Sequence, residues 1–170
     1  RDNEMIFRNR RRCGYPYYNA LVFYTTCGPA TTFDPKIIGV AGTWYFDDGT
    51  MMSAASGEEI SKTFASDGLH RAVFRPVGGN LSSITVIDIS TDALYGNHTT
   101  TISKCVNLTS LVMFTNPNCS WLLDRIVSSG KITSFVCASS GCCGNLSSLS
   151  PLPILYMDLG YNARIVGTLA

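Results

Sequence analysis

Apolar residues along this chain come in short bursts separated by Gly, Pro, Asn and Asp, and they alternate with polar ones more often than they recur at helical spacing. The clearest segment is 37–53, IIGVAGTWYFDDGTMMS. Val40 to Phe46 has the β-branched and aromatic content of a strand, Asp47-Asp48-Gly49 supplies turn chemistry, and Thr50 to Ser53 returns as the partner of a hairpin. The same pattern predicts strands at 19–25, 69–77, 83–89, 99–106, 109–115, 131–138, 151–157 and 163–169. Two short helices are expected. One starts at Ser56 with Glu58 and Glu59 in its first turn and Phe64 on its apolar side; the other spans 120–128, where Trp121, Leu122, Arg125 and Ile126 fit a 3.6 period before Gly130. The stretch 139–150, SSGCCGNLSSLS, reads as loop, and no internal repeat is evident. The sum predicts a mainly β fold, an antiparallel β-sandwich or barrel with one or two short helices.

The length of 170 residues fits a basic arm over 1–12 followed by a single β-rich domain over 13–170. Hydrophobic residues at 45 % and charged residues at 15 % exclude disorder and leave Ser, Thr, Asn and Gly to cover the surface. A net charge of +1 gives no global attraction to nucleic acid, and no apolar run reaches the roughly 18 residues of a spanning helix. Neither a nucleic-acid partner nor a membrane segment is therefore expected. The chain begins at Arg1, as a processed product or excised piece would. Arg8, Arg10, Arg11 and Arg12 admit three readings: a solvated terminus, a proprotein-type cleavage site, or an arm for phosphate contacts.

Seven cysteines change the picture more than the charge does: Cys13, Cys27, Cys105, Cys119, Cys137, Cys142 and Cys143. They form no C-x-x-C pair, and His70 and His98 stand far from any close pair, so disulfides are expected in place of a metal site. Local links Cys13 to Cys27, Cys105 to Cys119, and Cys137 to Cys142 or Cys143 suit the spacing, with one cysteine left over. The glycosylation pattern N-x-[ST] occurs at Asn80, Asn97, Asn107, Asn118 and Asn145. Cysteines and sequons together point to a secreted or lumenal protein, or to an ectodomain.

Catalytic sets are thin. Neither histidine has a nucleophile elbow near it, and the neighbouring carboxylates Asp47-Asp48 and Glu58-Glu59 belong to a turn and a helix start. No phosphate cradle or calcium loop is present in the sequence, so neither a cofactor nor a metal is expected. Tyr15, Tyr17, Tyr18 and Trp44 are the candidate ligand contacts, because each joins a large apolar body to a polar tip.

Gly42-Thr43-Trp44-Tyr45, preceded by Cys27 and by Phe33-Asp34-Pro35-Lys36, resembles the G-x-W start of the lipocalins. That resemblance implies an eight-stranded barrel carrying a small apolar ligand, with Trp44 closing its base against a late arginine, here Arg164. Exclusion of catalysis and the compartment signals favour a different expectation: a non-enzymatic, extracellular, disulfide-bonded glycoprotein module, as in a viral or cell-surface attachment protein. It would bind a protein or glycan receptor and is compatible with an oligomer. A lipocalin-like carrier and a jelly-roll capsid protein using the basic arm are the alternatives.

Overall fold

The computed structural model describes residues 19–126 and 129–168; the basic arm, Cys13, Tyr15, Tyr17 and Tyr18 lie outside them. The mainly β expectation holds, and the 42–54 hairpin forms as its sequence dictates. Strands β1 (Leu21–Thr25), β3 (Gly42–Phe46), β4 (Met51–Ala54) and β5 (His70–Pro76) make an antiparallel sheet in the order β1-β5-β3-β4. Period-two alternation sends Leu21, Phe23, Trp44 and Phe46 inward. There Trp44 meets Phe74, Phe33 and Phe23 at ring-centroid distances of 5.1, 5.5 and 6.0 Å. Gly42 is required beneath this cluster, since an added Cβ would lie 2.3 Å from the Phe74 ring.

The second half is built differently. Strands β6 (Val86–Asp88), β7 (Ser110–Val112), β9 (Ser134–Val136) and β11 (Tyr156–Asp158) pair in parallel, each with the next, and β2 (Lys36–Ile38) adds antiparallel to β6. A second parallel sheet joins β8 (Trp121–Leu122), β10 (Cys142–Asn145) and β12 (Arg164–Val166). The chain thus winds as a solenoid, one strand of the first sheet per coil. Helix α1 (Thr99–Ile102), helix α2 (Leu123–Ile126) and a 3-10 turn at Leu146–Leu149 return it to the next coil. Antiparallel pairing was expected throughout; among the named strands it is confined to the β1-β5-β3-β4 sheet and to β2, and no sheet closes into a barrel among the described residues.

An internal repeat is present, contrary to the reading of the sequence. Apolar positions recur as Ile84, Ile87, Ile89, then Leu108, Leu111, Met113, then Ile132, Phe135, Cys137, then Ile154, Met157, Leu159. The register fixes the alignment, Ile87 lying beside Leu111, Leu111 beside Phe135, and Phe135 beside Met157. Each trio is followed at the same distance by one polar residue: Asp92, Asn116, Ser140 or Asn162. Only spacing repeats, while residue identity varies from coil to coil.

These polar residues stitch the coils together. Asn116 Nδ2 donates to the Ile89 carbonyl at 2.8 Å, Ser140 Oγ to that of Met113, and Asn162 Nδ2 to that of Cys137 at 2.7 Å, in each case one coil back. Asn116 Oδ1 accepts from Leu94 N at 2.9 Å, and Asn162 Oδ1 from Cys142 N at 3.0 Å. The residue just before each of them, Thr91, Thr115, Ser139 and Tyr161, has positive φ, an unfavourable conformation for a residue with a side chain that the same bend requires in every coil.

Four local expectations give way to this winding. The segment after Ser56 is not a helix: Glu58 Oε2 turns back to accept Ala55 N at 2.7 Å, and bridges from Lys36 to Glu59 and from Phe33 to Lys62 hold it extended. The predicted strand at 99–106 begins as α1, because Asn97 Oδ1 accepts Thr99 N at 2.9 Å and starts a turn. The loop at 139–150 contains β10 and the 3-10 turn that Asn145 caps. The helix predicted over 120–128 begins only at Leu123, as α2, since Trp121 and Leu122 are taken by β8.

Replacing Asn116 by Ala takes the side-chain partner from the buried Leu94 N–H and from the Ile89 carbonyl, while the Met113 and Phe114 carbonyls keep Ser140 Oγ and Thr91 N. Urea unfolding is expected to show a loss of about 2–4 kcal/mol for Asn116→Ala, and a smaller loss for Asn162→Ala, whose site is half-exposed.

Candidate functional site: the outward face of the parallel sheet

Alternation about the buried centres Ile87, Leu111 and Phe135 turns the flanking residues outward. One outward row runs Ile38, Val86, Ser110, Ser134, Tyr156; the next runs Lys36, Asp88, Val112, Val136, Asp158. Phe114 stands exposed just beyond β7. The face therefore carries Val112 and Val136 beside Ser110 and Ser134 at its middle, with aromatic groups at Phe114 and Tyr156 and carboxylates at Asp88 and Asp158. Each row position belongs to a different coil, so neighbours in space are more than 20 residues apart in sequence. Period-two alternation within each strand was the available signal, but without the repeat it could not be assembled into a surface.

None of the five sequon asparagines lies on a strand of this sheet. Asn80, Asn97, Asn118 and Asn145 are exposed at turns. Asn80, Asn97 and Asn145 each accept the backbone N–H two residues on, from Ser82, Thr99 and Ser147. The N-x-[ST] triplet thus also serves here as a turn motif. Asn107 is half-buried, with Nδ2 donating to the Ser82 carbonyl at 2.8 Å.

A second concavity of about 440 Å³ lies between β1 and α1, lined by Val22, Tyr24, Arg71, Asn97, His98 and Thr100 among others. His98 is 2 % exposed and sits against Phe23 and Trp121, each at a centroid distance of 5.6 Å; burial pushes its pKa down to about 4 and keeps it neutral. His70 stacks on Phe64 at 4.0 Å, with Nδ1 3.4 Å from Asp47 Oδ1 and Nε2 2.9 Å from the Ser66 carbonyl.

The remaining candidates are placed as follows. Trp44, named as a ligand contact, is 1 % exposed inside the aromatic cluster and presents no surface to a ligand. Arg164, the late arginine of the lipocalin resemblance, lies exposed on β12 in the other half of the molecule. Cys137 and Cys142 are disulfide-bonded, whereas Cys27, Cys105, Cys119 and Cys143 are thiols; the expected link between Cys105 and Cys119 is not formed. Burial pushes the Cys105 and Cys119 thiols up to about 12. The Asp47 and Asp48 carboxylates face different partners, Asp47 the Arg71 N–H and His70, Asp48 Lys62 at 2.5 Å and Thr50. Burial alone would raise Asp48, but the Lys62 and Thr50 hydrogen bonds outweigh it and hold the group at about 2. Among the described residues no cluster of His, Cys, Asp or Glu could hold a metal ion, and no helix is long and apolar enough to cross a membrane. Comparison with protein-family models, with curated proteins and with solved structures finds no match.

Asp92 is the one ladder residue without an amide or hydroxyl. It is fully buried, Oδ1 accepts Asp34 N at 2.6 Å, and Oδ2 has no partner. Burial pushes its pKa up to about 9, so the folded carboxyl holds a proton that the unfolded chain, near pH 4, releases. This contribution to stability is complete below about pH 4 and is lost as pH rises through about 9. Unfolding free energy is expected to fall between those limits, and Asp92→Asn to remove the slope and raise stability at pH 8 by about 1–3 kcal/mol. Denaturant titrations at several pH values check both.

Proposed function

We propose that this chain is a non-enzymatic recognition module of an extracellular or lumenal glycoprotein, and that the outward face of the parallel sheet seats a protein or glycan partner. The observation that carries this reading is the composition of that face: valine and serine at its middle, aromatic and charged groups around them, assembled from successive coils, and free of sequon asparagines. Apolar triplets ending in a polar ladder residue, with a strand and a short helix or 3-10 turn per coil, follow the pattern of leucine-rich solenoids, whose stacked strands form extended binding surfaces. The Cys137–Cys142 disulfide and the exposed Asn80, Asn97, Asn118 and Asn145 support the compartment. We prefer this reading to a lipocalin-like carrier because no sheet closes into a barrel among the described residues and Trp44 packs against Phe23, Phe33 and Phe74.

Two measurements test the proposal. Protein from a secretory host is weighed intact before and after glycosidase; sugar is expected on one or more of the four exposed asparagines and not on Asn107, and a mass without sugar would remove the glycoprotein reading. For the face, labelled wild type is screened on cell-surface and glycan panels. Val112→Asp with Val136→Asp is expected to weaken any saturable binding by tenfold or more, while Tyr45→Ala on the antiparallel sheet leaves it unchanged. Equal binding by the two variants would place the contact elsewhere.

A further inference from the structure

The cleft between β1 and α1 has a sugar acceptor in its own wall. Asn97, which opens the triplet Asn97-His98-Thr99, lines it on the α1 side with Thr100, opposite Val22 and Tyr24 of β1 and Arg71 of β5. Tyr24 and Arg71 are neighbours in the register of those strands. Asn97 is exposed, its Oδ1 accepts Thr99 N at 2.9 Å, and its Nδ2, the atom that carries a glycan, makes no hydrogen bond among the described residues. Tyr24 is a held platform. Its ring stacks on His98 at a centroid distance of 6.2 Å, His98 packs in turn against Phe23 and Trp121, and Tyr24 still remains 41 % exposed. A tyrosine ring backed in this way offers an apolar face to the C–H groups of a pyranose, while a threonine hydroxyl and a guanidinium beside it suit the sugar's hydroxyls and acetamide. The cleft, at about 440 Å³, falls within the roughly 300–1,000 Å³ of small-ligand sites.

We propose that Asn97 carries an N-linked glycan whose first N-acetylglucosamine lies in this cleft, one face on Tyr24 and its polar groups toward Arg71 and Thr100. This placement rests on the glycoprotein reading and adds to it a seat for one particular sugar. The modification is a group transfer: the anomeric carbon leaves the diphosphate of a polyprenyl-linked oligosaccharide and bonds to Asn97 Nδ2, which gives up one proton, and the polyprenyl diphosphate departs. Thr99, whose hydroxyl the acceptor triplet requires, is fully buried in the fold with Oγ1 accepting Leu122 N at 3.2 Å, so transfer precedes folding. The tether decides the occupant. A free sugar binds one tyrosine weakly, whereas a sugar attached to the wall is present at an effective concentration on the order of millimolar. Asn80 and Asn145 make the same turn, accepting Ser82 N and Ser147 N at 3.0 Å, but do not line this cleft, so sugars there project into solvent. Seated at Asn97, the sugar spans the antiparallel sheet and the first coil, adding to the long bond from Val22 N to Thr101 Oγ1 at 3.4 Å.

The full chain from a secretory host is mapped by glycopeptide mass spectrometry, and Asn97 is expected to be occupied. With its glycan trimmed enzymatically to one N-acetylglucosamine, nuclear Overhauser contacts are expected between the sugar ring protons and the Tyr24 ring. Amidase release of the Asn97 glycan from folded protein is expected to be about tenfold faster in Tyr24→Ser than in wild type, with Tyr24→Phe matching wild type and release at Asn80 and Asn145 unchanged. A chain without sugar at any asparagine would remove this proposal together with the glycoprotein reading. Sugar elsewhere with Asn97 bare, or an Asn97 sugar that lacks Tyr24 contacts and is released equally fast from wild type and Tyr24→Ser, would remove the seat in the cleft and leave the glycoprotein reading standing. The contacts in the wild type decide the matter even where Tyr24→Ser fails to fold.

Discussion

Satisfaction of buried backbone groups where the chain bends out of one parallel sheet toward the other is the constraint on which the rest depends. Each bend turns carbonyls and N–H groups into an apolar interior, where an unpaired one costs about 1–3 kcal/mol. A single side chain per coil meets that demand: Asn116, Ser140 and Asn162 reach back to Ile89, Met113 and Cys137. An amide suits the position because it donates and accepts at once. The bend then fixes where the next strand starts, hence the parallel register, hence the rows of outward side chains that make the candidate face.

Asp92 marks where the repeating ladder meets a different architecture. No earlier coil offers it a carbonyl equivalent to Ile89; its neighbours are Asp34, whose N–H it accepts, and Thr25 and Cys27, which donate to its own carbonyl. The antiparallel half is joined to the first coil through these bonds, through the bridge of Thr25 to Leu94, and through Phe23 and His98, which carry the aromatic core across to Trp121. A carboxyl held neutral there lets one residue type end the ladder and anchor the other sheet. The same junction forms the cleft between β1 and α1, so a concavity of about 440 Å³ lies where the two architectures abut.

Legibility followed the range of the interactions. The 42–54 hairpin was readable because its strand alternation, its Asp-Asp-Gly turn and its return lie within a few residues of each other. A link from Cys137 to Cys142 or Cys143 was readable for the same reason, and the structure chooses Cys142. The ladder was not, since Asn116 finds its partners at Ile89 and Leu94, and the sequence around it, Thr-Asn-Pro-Asn, carries the signature of an ordinary turn. Likewise 99–106 looked like a strand, whereas the Asn97 side chain starts the turn into α1.

The sequence by itself therefore determined a mainly β chain of short elements, the hairpin about Trp44, and a thin inventory for catalysis. These depend on local preference, alternation and composition. Tertiary structure alone decided that the later strands run parallel, that Trp44 is interior, that Cys105 and Cys119 remain thiols, and that Val112, Val136 and Tyr156 share one face. The physical reason is that winding at a near-constant pitch brings together residues more than 20 positions apart, and what recurs at that pitch is a spacing of apolar and hydrogen-bonding side chains with few residue identities in common.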